Sequence, residues 1–105
     1  MISSNVKHKD DREHPLREKM LTACARGWIN KVKQYVRLGA PINIRDIWGD
    51  TPLIYAIQYN KEKVAFWLLD NGAGVKEAND LGFAPIHFAC IHDSTIDLLS
   101  RLIEL

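Results

Sequence analysis

No stretch of this 105-residue chain approaches the ~20 consecutive apolar residues that a membrane-spanning helix requires. Its opening segment, MISSNVKHKDDREH, holds no apolar run of signal-peptide length. An intracellular protein is expected on these grounds, cytoplasmic with the nucleus also open to it. Net charge is nearly absent: 14 Lys plus Arg against 13 Asp plus Glu leave +1. So balanced a chain has no strong field to draw in nucleic acid or an anionic membrane, and neither is expected as a partner. Lys9 with Arg12, and Lys31 with Lys33, read as solvated charges. Cysteine is scarce, with Cys24 and Cys90 alone, too few for a disulfide framework.

What remains is an ordinary globular composition, 47% hydrophobic and 26% charged, of a length suited to one small domain. The first 13 residues are polar and read as a flexible lead or a solvated first turn. Beyond them the chain repeats itself. GDTPLIYAI begins at Gly49 and GFAPIHFAC at Gly82, 33 residues on. The same interval carries Gly39-Ala40 onto Gly72-Ala73, Ile42 onto Val75, and Ala23 onto Ala56. Late in the third block the interval becomes 34, matching Leu68-Leu69 to Leu102-Ile103. One inserted residue is therefore expected in HDSTI, between two helices.

Each block reads as two short helices. Thr51 is placed to cap the first helix of the second block, and Pro52 fits the first helical position, where no N–H is needed. Leu53, Ala56 and Ile57 then form one apolar face. Asn60 ends this helix. The next carries Val64, Trp67, Leu68 and Leu69 and stops at Gly72, where a cap requires positive φ. GVKEANDLGF follows as a loop or hairpin-like finger. The first block places Met20, Ala23 and Cys24 on its first helical face but lacks the Thr-Pro start.

DIWGDTPLIYAIQYNKEKVAFWLLDNGAGV resembles an ankyrin repeat over its whole length, through Asp46, Gly49, Thr51-Pro52-Leu53, Ala56, Val64, Leu68-Leu69 and Gly72-Ala73. NDLGFAPIHFAC resembles the start of another and VKQYVRLGAPIN the end of a first. The likeness covers about residues 15 to 105. It implies an all-α ankyrin-repeat solenoid of stacked helix-turn-helix units with hairpin-like fingers. Repeats are expected over about 14–45, 46–78 and 79–105. Departures from the family pattern are plain. Leu21 and Ile54 replace its histidine, Ala84 its threonine, and Asn60 and Asp93 its usual glycine. The tie between helix start and loop is expected to be incomplete, and the array only moderately stable. Lys76 stands where asparagine is usual. Asn43 keeps that asparagine, at the position where ankyrin repeats in general can be hydroxylated, although its surroundings match weakly.

The end of the chain, SRLIEL, is expected to expose apolar surface. Leu98, Leu99, Leu102, Ile103 and Leu105 cannot all be covered by one preceding repeat. Either further repeats follow in the natural protein, or this end meets another chain, with self-association through Leu98, Leu102 and Leu105.

Chemistry is harder to find. His87, Cys90 and His92 hold ligand types, but at ~100° per residue His92 points ~160° from Cys90. His92-Asp93-Ser94 contains triad residue types, yet neighbours in a turn diverge. Gly72-Ala73-Gly74 is no phosphate loop, because Glu77 stands where a third glycine belongs and no Gly-Lys-Ser/Thr follows. Cys24 and Cys90 are two repeats apart, and helices packed ~8–10 Å apart carry them beyond the reach of a disulfide. Both are expected reduced and buried. Of the aromatics on the second helices, Tyr35 and Trp67 read as core, while Trp28 and Phe66 leave a small contact site open. No catalytic, metal or cofactor residue is assigned, and no enzyme is expected.

The resemblance implies a binding face built from finger tips and exposed first-helix positions. Those positions are Ile47, Trp48 and Asp50 on the first finger and Asp80, Leu81 and Phe83 on the second. The helices add Ala25 and Arg26, Gln58 and Tyr59, and Ile91 and His92. This set is rich in the aromatic side chains that interfaces favour. The competing reading folds Trp48 and Phe83 back onto adjacent fingers. The expected function is a non-catalytic module that binds a folded protein or peptide through a concave face. The alternative is an N-terminal capping piece of a longer ankyrin scaffold, or of an enzyme whose active domain lies elsewhere.

Overall fold

The computed structural model describes residues 13–104. The lead expected over 1–13 therefore falls, but for Glu13, outside the described residues, and so does Leu105. Six helices follow one another: α1 Arg17–Arg26, α2 Ile29–Arg37, α3 Pro52–Gln58, α4 Glu62–Asp70, α5 Pro85–Ile91 and α6 Ile96–Glu104. There is no strand among the described residues, and none of their helices is long and apolar enough to cross a membrane. The helices pair as hairpins, α1 with α2, α3 with α4, α5 with α6. First helices stack on first helices and second on second.

The 33-residue period is visible in the backbone. Ala23, Ala56 and Ala89 are all buried at the same place in α1, α3 and α5. Four residues on, each helix ends in a residue of positive φ: Gly27 at 75°, Asn60 at 60° and Asp93 at 58°. Asn and Asp tolerate this left-handed conformation better than other residues with a β-carbon, so the loss of glycine is accommodated. The next amide then returns to the buried alanine's carbonyl. Trp28 N donates to Ala23 O at 2.9 Å, Lys61 N to Ala56 O at 2.7 Å and Ser94 N to Ala89 O at 3.0 Å. In the first two hairpins that residue also starts the second helix. In the third, Thr95 intervenes and does so instead, its Oγ1 accepting from Leu98 N at 3.3 Å. Thr95 is the expected insertion. Its amide and hydroxyl both donate to the Glu62 carboxylate, at 2.9 and 2.7 Å.

The starts of α3 and α5 each keep half of a reciprocal capping arrangement. At α3, Thr51 Oγ1 accepts from Ile54 N at 3.3 Å, and Ile54 has nothing to return. At α5 the halves are exchanged: His87 Nδ1 accepts from Ala84 N at 2.8 Å, and Ala84 has no hydroxyl. The full arrangement would satisfy two free N–H groups per helix start.

Two expectations about burial are corrected. Cys24 is buried, and desolvation pushes its thiol up to about 12. Cys90 is exposed. Leu21 and Cys24 on α1, and Ile54 and Ile57 on α3, face the following hairpin and are covered by it. His87 and Cys90 repeat those positions on α5, where no described element packs over them. The second correction concerns α6. Leu98 and Leu102 point inward to the core and are buried, so they cannot form a self-association face. Ile96 and Ile103 are exposed in their place. Tyr35 and Trp67 are half-buried against the core, as expected. Phe66 packs beside them, with the Arg101 guanidinium 5.7 Å from its ring centroid and bonded to Asp70 at 2.8 Å.

Gly49 and Gly39 separate two costs of a β-carbon. Both have positive φ, 84° and 108°. At Gly39 a Cβ would meet nothing within 4 Å, whereas at Gly49 it would lie 2.8 Å from Asp80 N. Gly39→Ala should lose about 1–2 kcal/mol from backbone strain alone. Gly49→Ala should lose a further ~1–3 kcal/mol, because backbone must shift. Urea unfolding of the two variants measures the difference, and equal losses would contradict the close approach.

Candidate functional site

Two finger loops precede α3 and α5, and each is wound around one side chain. In the first, Asp46 is almost fully buried. Its Oδ1 accepts from Trp48 N and Asp50 N, both at 2.9 Å, and its Oδ2 accepts from the Tyr55 hydroxyl at 2.6 Å. Backbone bonds close the turn, from Asp46 N to Asp50 O and from Gly49 N to Asp46 O. Asn79 holds the equivalent place in the second finger. Its Oδ1 accepts from Leu81 N and Phe83 N, both at 3.0 Å. Phe88, which replaces Tyr55 there, has no hydroxyl to offer. The Asn79 amide nitrogen instead donates to Asp50 Oδ1 of the first finger at 2.9 Å.

Further bonds make the fingers one unit. Asp80 N donates to Trp48 O at 2.9 Å. Arg45 donates to Gly49 O at 2.9 Å and to Ala78 O at 2.7 Å, and pairs with the Glu77 carboxylate. Asn43 Oδ1 accepts from Gly74 N at 3.0 Å, joining the loops at their bases. Burial, and then the bond to the Asp46 carboxylate, push the Tyr55 phenol well above its usual range, so it stays a donor. Burial also raises the Asp50 carboxyl, and nearby Asp46 and Asp80 add to this, against the bond from Asn79.

On this frame the expected face is partly assembled. Trp48 is 63% exposed although its amide is pinned, and Ile47, Leu81 and Ile91 are exposed too. Phe83 leans back, but onto its own repeat. Its ring lies edge-on at 5.8 Å from His87 and 6.3 Å from Phe88. Arg26 and Tyr59 do come together. They share a groove of about 440 Å³ between α1 and α3, lined also by Thr22, Ala25 and Tyr55. The rings of Tyr55 and Tyr59 sit 6.3 Å apart. Gln58 and His92 are half-buried, and Asp80 is exposed at the second finger. Ile91 and His92 belong to the third hairpin and do not line the groove.

Thr22 and Tyr55 were not anticipated as site residues. A signal for them existed, since they precede Arg26 and Tyr59 by four residues and so share their helical face. Arg45 had no such signal. Among the described residues no group of three or more His, Cys, Asp or Glu could hold a metal ion.

Comparison with known proteins agrees with this architecture. A family model described as ankyrin repeats, in three copies, matches residues 20–105. A putative ankyrin repeat protein of Fowlpox virus (strain NVSL) is 25% identical over 121 aligned residues, covering 81% of this chain and 36% of the relative. A serine/threonine-protein kinase of Arabidopsis thaliana is 32% identical over 74 residues, covering 70% of this chain and 17% of the kinase. The chain thus spans well under half the length of these relatives.

Asp50 supplies a test of the site's electrostatics. Its folded-state value lies above the ordinary 3.8, so the native state holds the proton more tightly than the unfolded chain. The stability this group contributes is complete below the ordinary value and is lost as pH rises through the raised one. Asp50→Asn keeps an oxygen for Asn79 and cannot ionise. It should melt above the parent at pH 7, with the gap closing toward pH 3. A gap that does not change with pH would contradict the assignment.

Proposed function

The chain belongs to the ankyrin-repeat family, whose repeats are generally protein-interaction modules, and we propose that this one binds a protein partner without catalysis, through the face formed by its fingers and first helices. One observation supports this reading above the others. Trp48, Tyr59 and Leu81 are exposed, while the backbone of the fingers that carry Trp48 and Leu81 is held by side-chain hydrogen bonds. Apolar surface held in place without being buried is characteristic of a contact site. A prebuilt loop also orders little on binding, so less entropy opposes association. Trp48 and Tyr59 would serve as anchors. Asp50, Asp80, Arg26 and His92 would supply a polar rim.

A second reading attaches to the outer face of the third hairpin. Cys90 and Ile103 are exposed there. That face would dock another helical unit, in a longer scaffold, beside an enzymatic domain, or in a second copy of the chain.

One capture experiment separates the readings. Proteins retained by the parent from a cell extract are compared with those retained by Trp48→Ala/Tyr59→Ala, Ile103→Asp and the control Lys63→Ala. A partner lost only with the double variant supports the finger face. Loss only with Ile103→Asp moves the function to the outer face. Retention by all four contradicts both.

A further inference from the structure

The groove between α1 and α3 is asymmetric, and its asymmetry selects a ligand. Its small side is Thr22 and Ala25, and its large side is Tyr55 and Tyr59. The resulting space, about 440 Å³, is enough for one large apolar side chain with the backbone that carries it. Tyr55 can offer only its ring, because its hydroxyl is committed to Asp46 at 2.6 Å. The Tyr59 hydroxyl makes no hydrogen bond among the described residues and is a donor at the mouth.

Arg26 stands at the rim. Arg17, Arg45 and Arg101 each pair with a carboxylate. Arg26 forms no ion pair among the described residues. Its guanidinium lies 5.4 Å from the centroid of the Trp28 ring. Stacking on an aromatic ring holds a guanidinium in place and leaves its N–H edges available for a planar, two-pronged acceptor. The carboxylates of this face are already occupied: Asp46 accepts from three donors and Asp50 from Asn79. The fingers carry the opposite sign, through Asp50 and Asp80. A negative group on a partner is therefore attracted at the α1 side and repelled at the fingers.

Resting on the binding face proposed above, we propose that this groove recognises an acidic peptide segment, in which an Asp or Glu carboxylate pairs with Arg26 while a neighbouring apolar side chain enters between Thr22 and Ala25 on one side and Tyr55 and Tyr59 on the other. The chain direction that points the acidic residue away from the fingers is the one accepted. Charge-assisted, two-pronged pairing gives such a contact its selectivity.

The probe is a phage-displayed library of random linear dodecapeptides, selected on the immobilised full chain. The expected result is enrichment of Asp or Glu at one fixed position beside a large apolar residue. Synthetic copies should bind Arg26→Glu and Arg26→Gln about tenfold or more weakly than the parent, the size of one lost charge-assisted contact. Melting temperatures of both variants check that each is folded. A fresh selection on Arg26→Glu should replace the acidic position with Lys or Arg. Peptides that need Trp48 and Tyr59 but carry no acidic position, and bind Arg26→Glu as well as the parent, would overturn this inference and leave the binding face standing. If no selected peptide loses affinity to Trp48→Ala or Tyr59→Ala, both are overturned.

Discussion

The buried carboxylate of Asp46 organises the finger half of the molecule. Taking a carboxylate out of water is costly unless donors replace the solvent. Here the Trp48 and Asp50 amides and the Tyr55 hydroxyl do so. Hydrogen bonds to a charged group contribute about 1.5–3 kcal/mol each, a large effect for a loop this short. They fix the turn that presents Trp48, the chain entry to α3, and the Tyr55 ring that walls the groove. The tip can then remain apolar and exposed without collapsing onto its own repeat.

The second finger solves the same problem with different atoms. Asn79 and Phe88 replace Asp46 and Tyr55, nine residues apart in both cases. With no hydroxyl to accept, the side chain has a nitrogen in place of the second oxygen and donates across to Asp50. The exchange turns a bond within one repeat into a bond between repeats. Arg45 reinforces it from the other side, reaching carbonyls in both fingers. Solenoids derive their cooperativity from such neighbour contacts. The two fingers consequently behave as one surface, although each belongs to a different repeat.

Much of this was legible in the sequence, and the exceptions are instructive. The 33-residue period placed Thr51, Pro52 and Asn60 correctly, and the change to 34 located the insertion that proves to be Thr95. Exposed tips at Ile47, Trp48 and Leu81 followed from their place in the repeat. Periodicity gives a residue's position within its own repeat, but not what lies opposite. Cys90 shares the position of Cys24 and has the opposite environment, because burial there depends on a following hairpin. Leu98 and Leu102 read as surplus apolar residues, yet at the shifted interval they repeat the buried Val64 and Leu68, while Ile103 repeats Leu69 and is exposed because no described hairpin follows it. Arg45 bonds to backbone carbonyls, which carry no residue identity to search for. Tyr55 falls on Phe88 at the 33-residue interval, and the hydroxyl that bonds Asp46 is what that correspondence does not carry.

Amide hydrogen exchange in the parent and in Asp46→Ala tests the dependence of the finger on Asp46 most directly. The account predicts that Trp48 and Asp50 amides are protected in the parent and exchange at least tenfold faster in the variant. The amides of Ala56 and Leu68, in the helical core, should change only as far as global stability falls. Unchanged protection at Trp48 and Asp50 would contradict the account, because the finger would then hold its shape without the carboxylate.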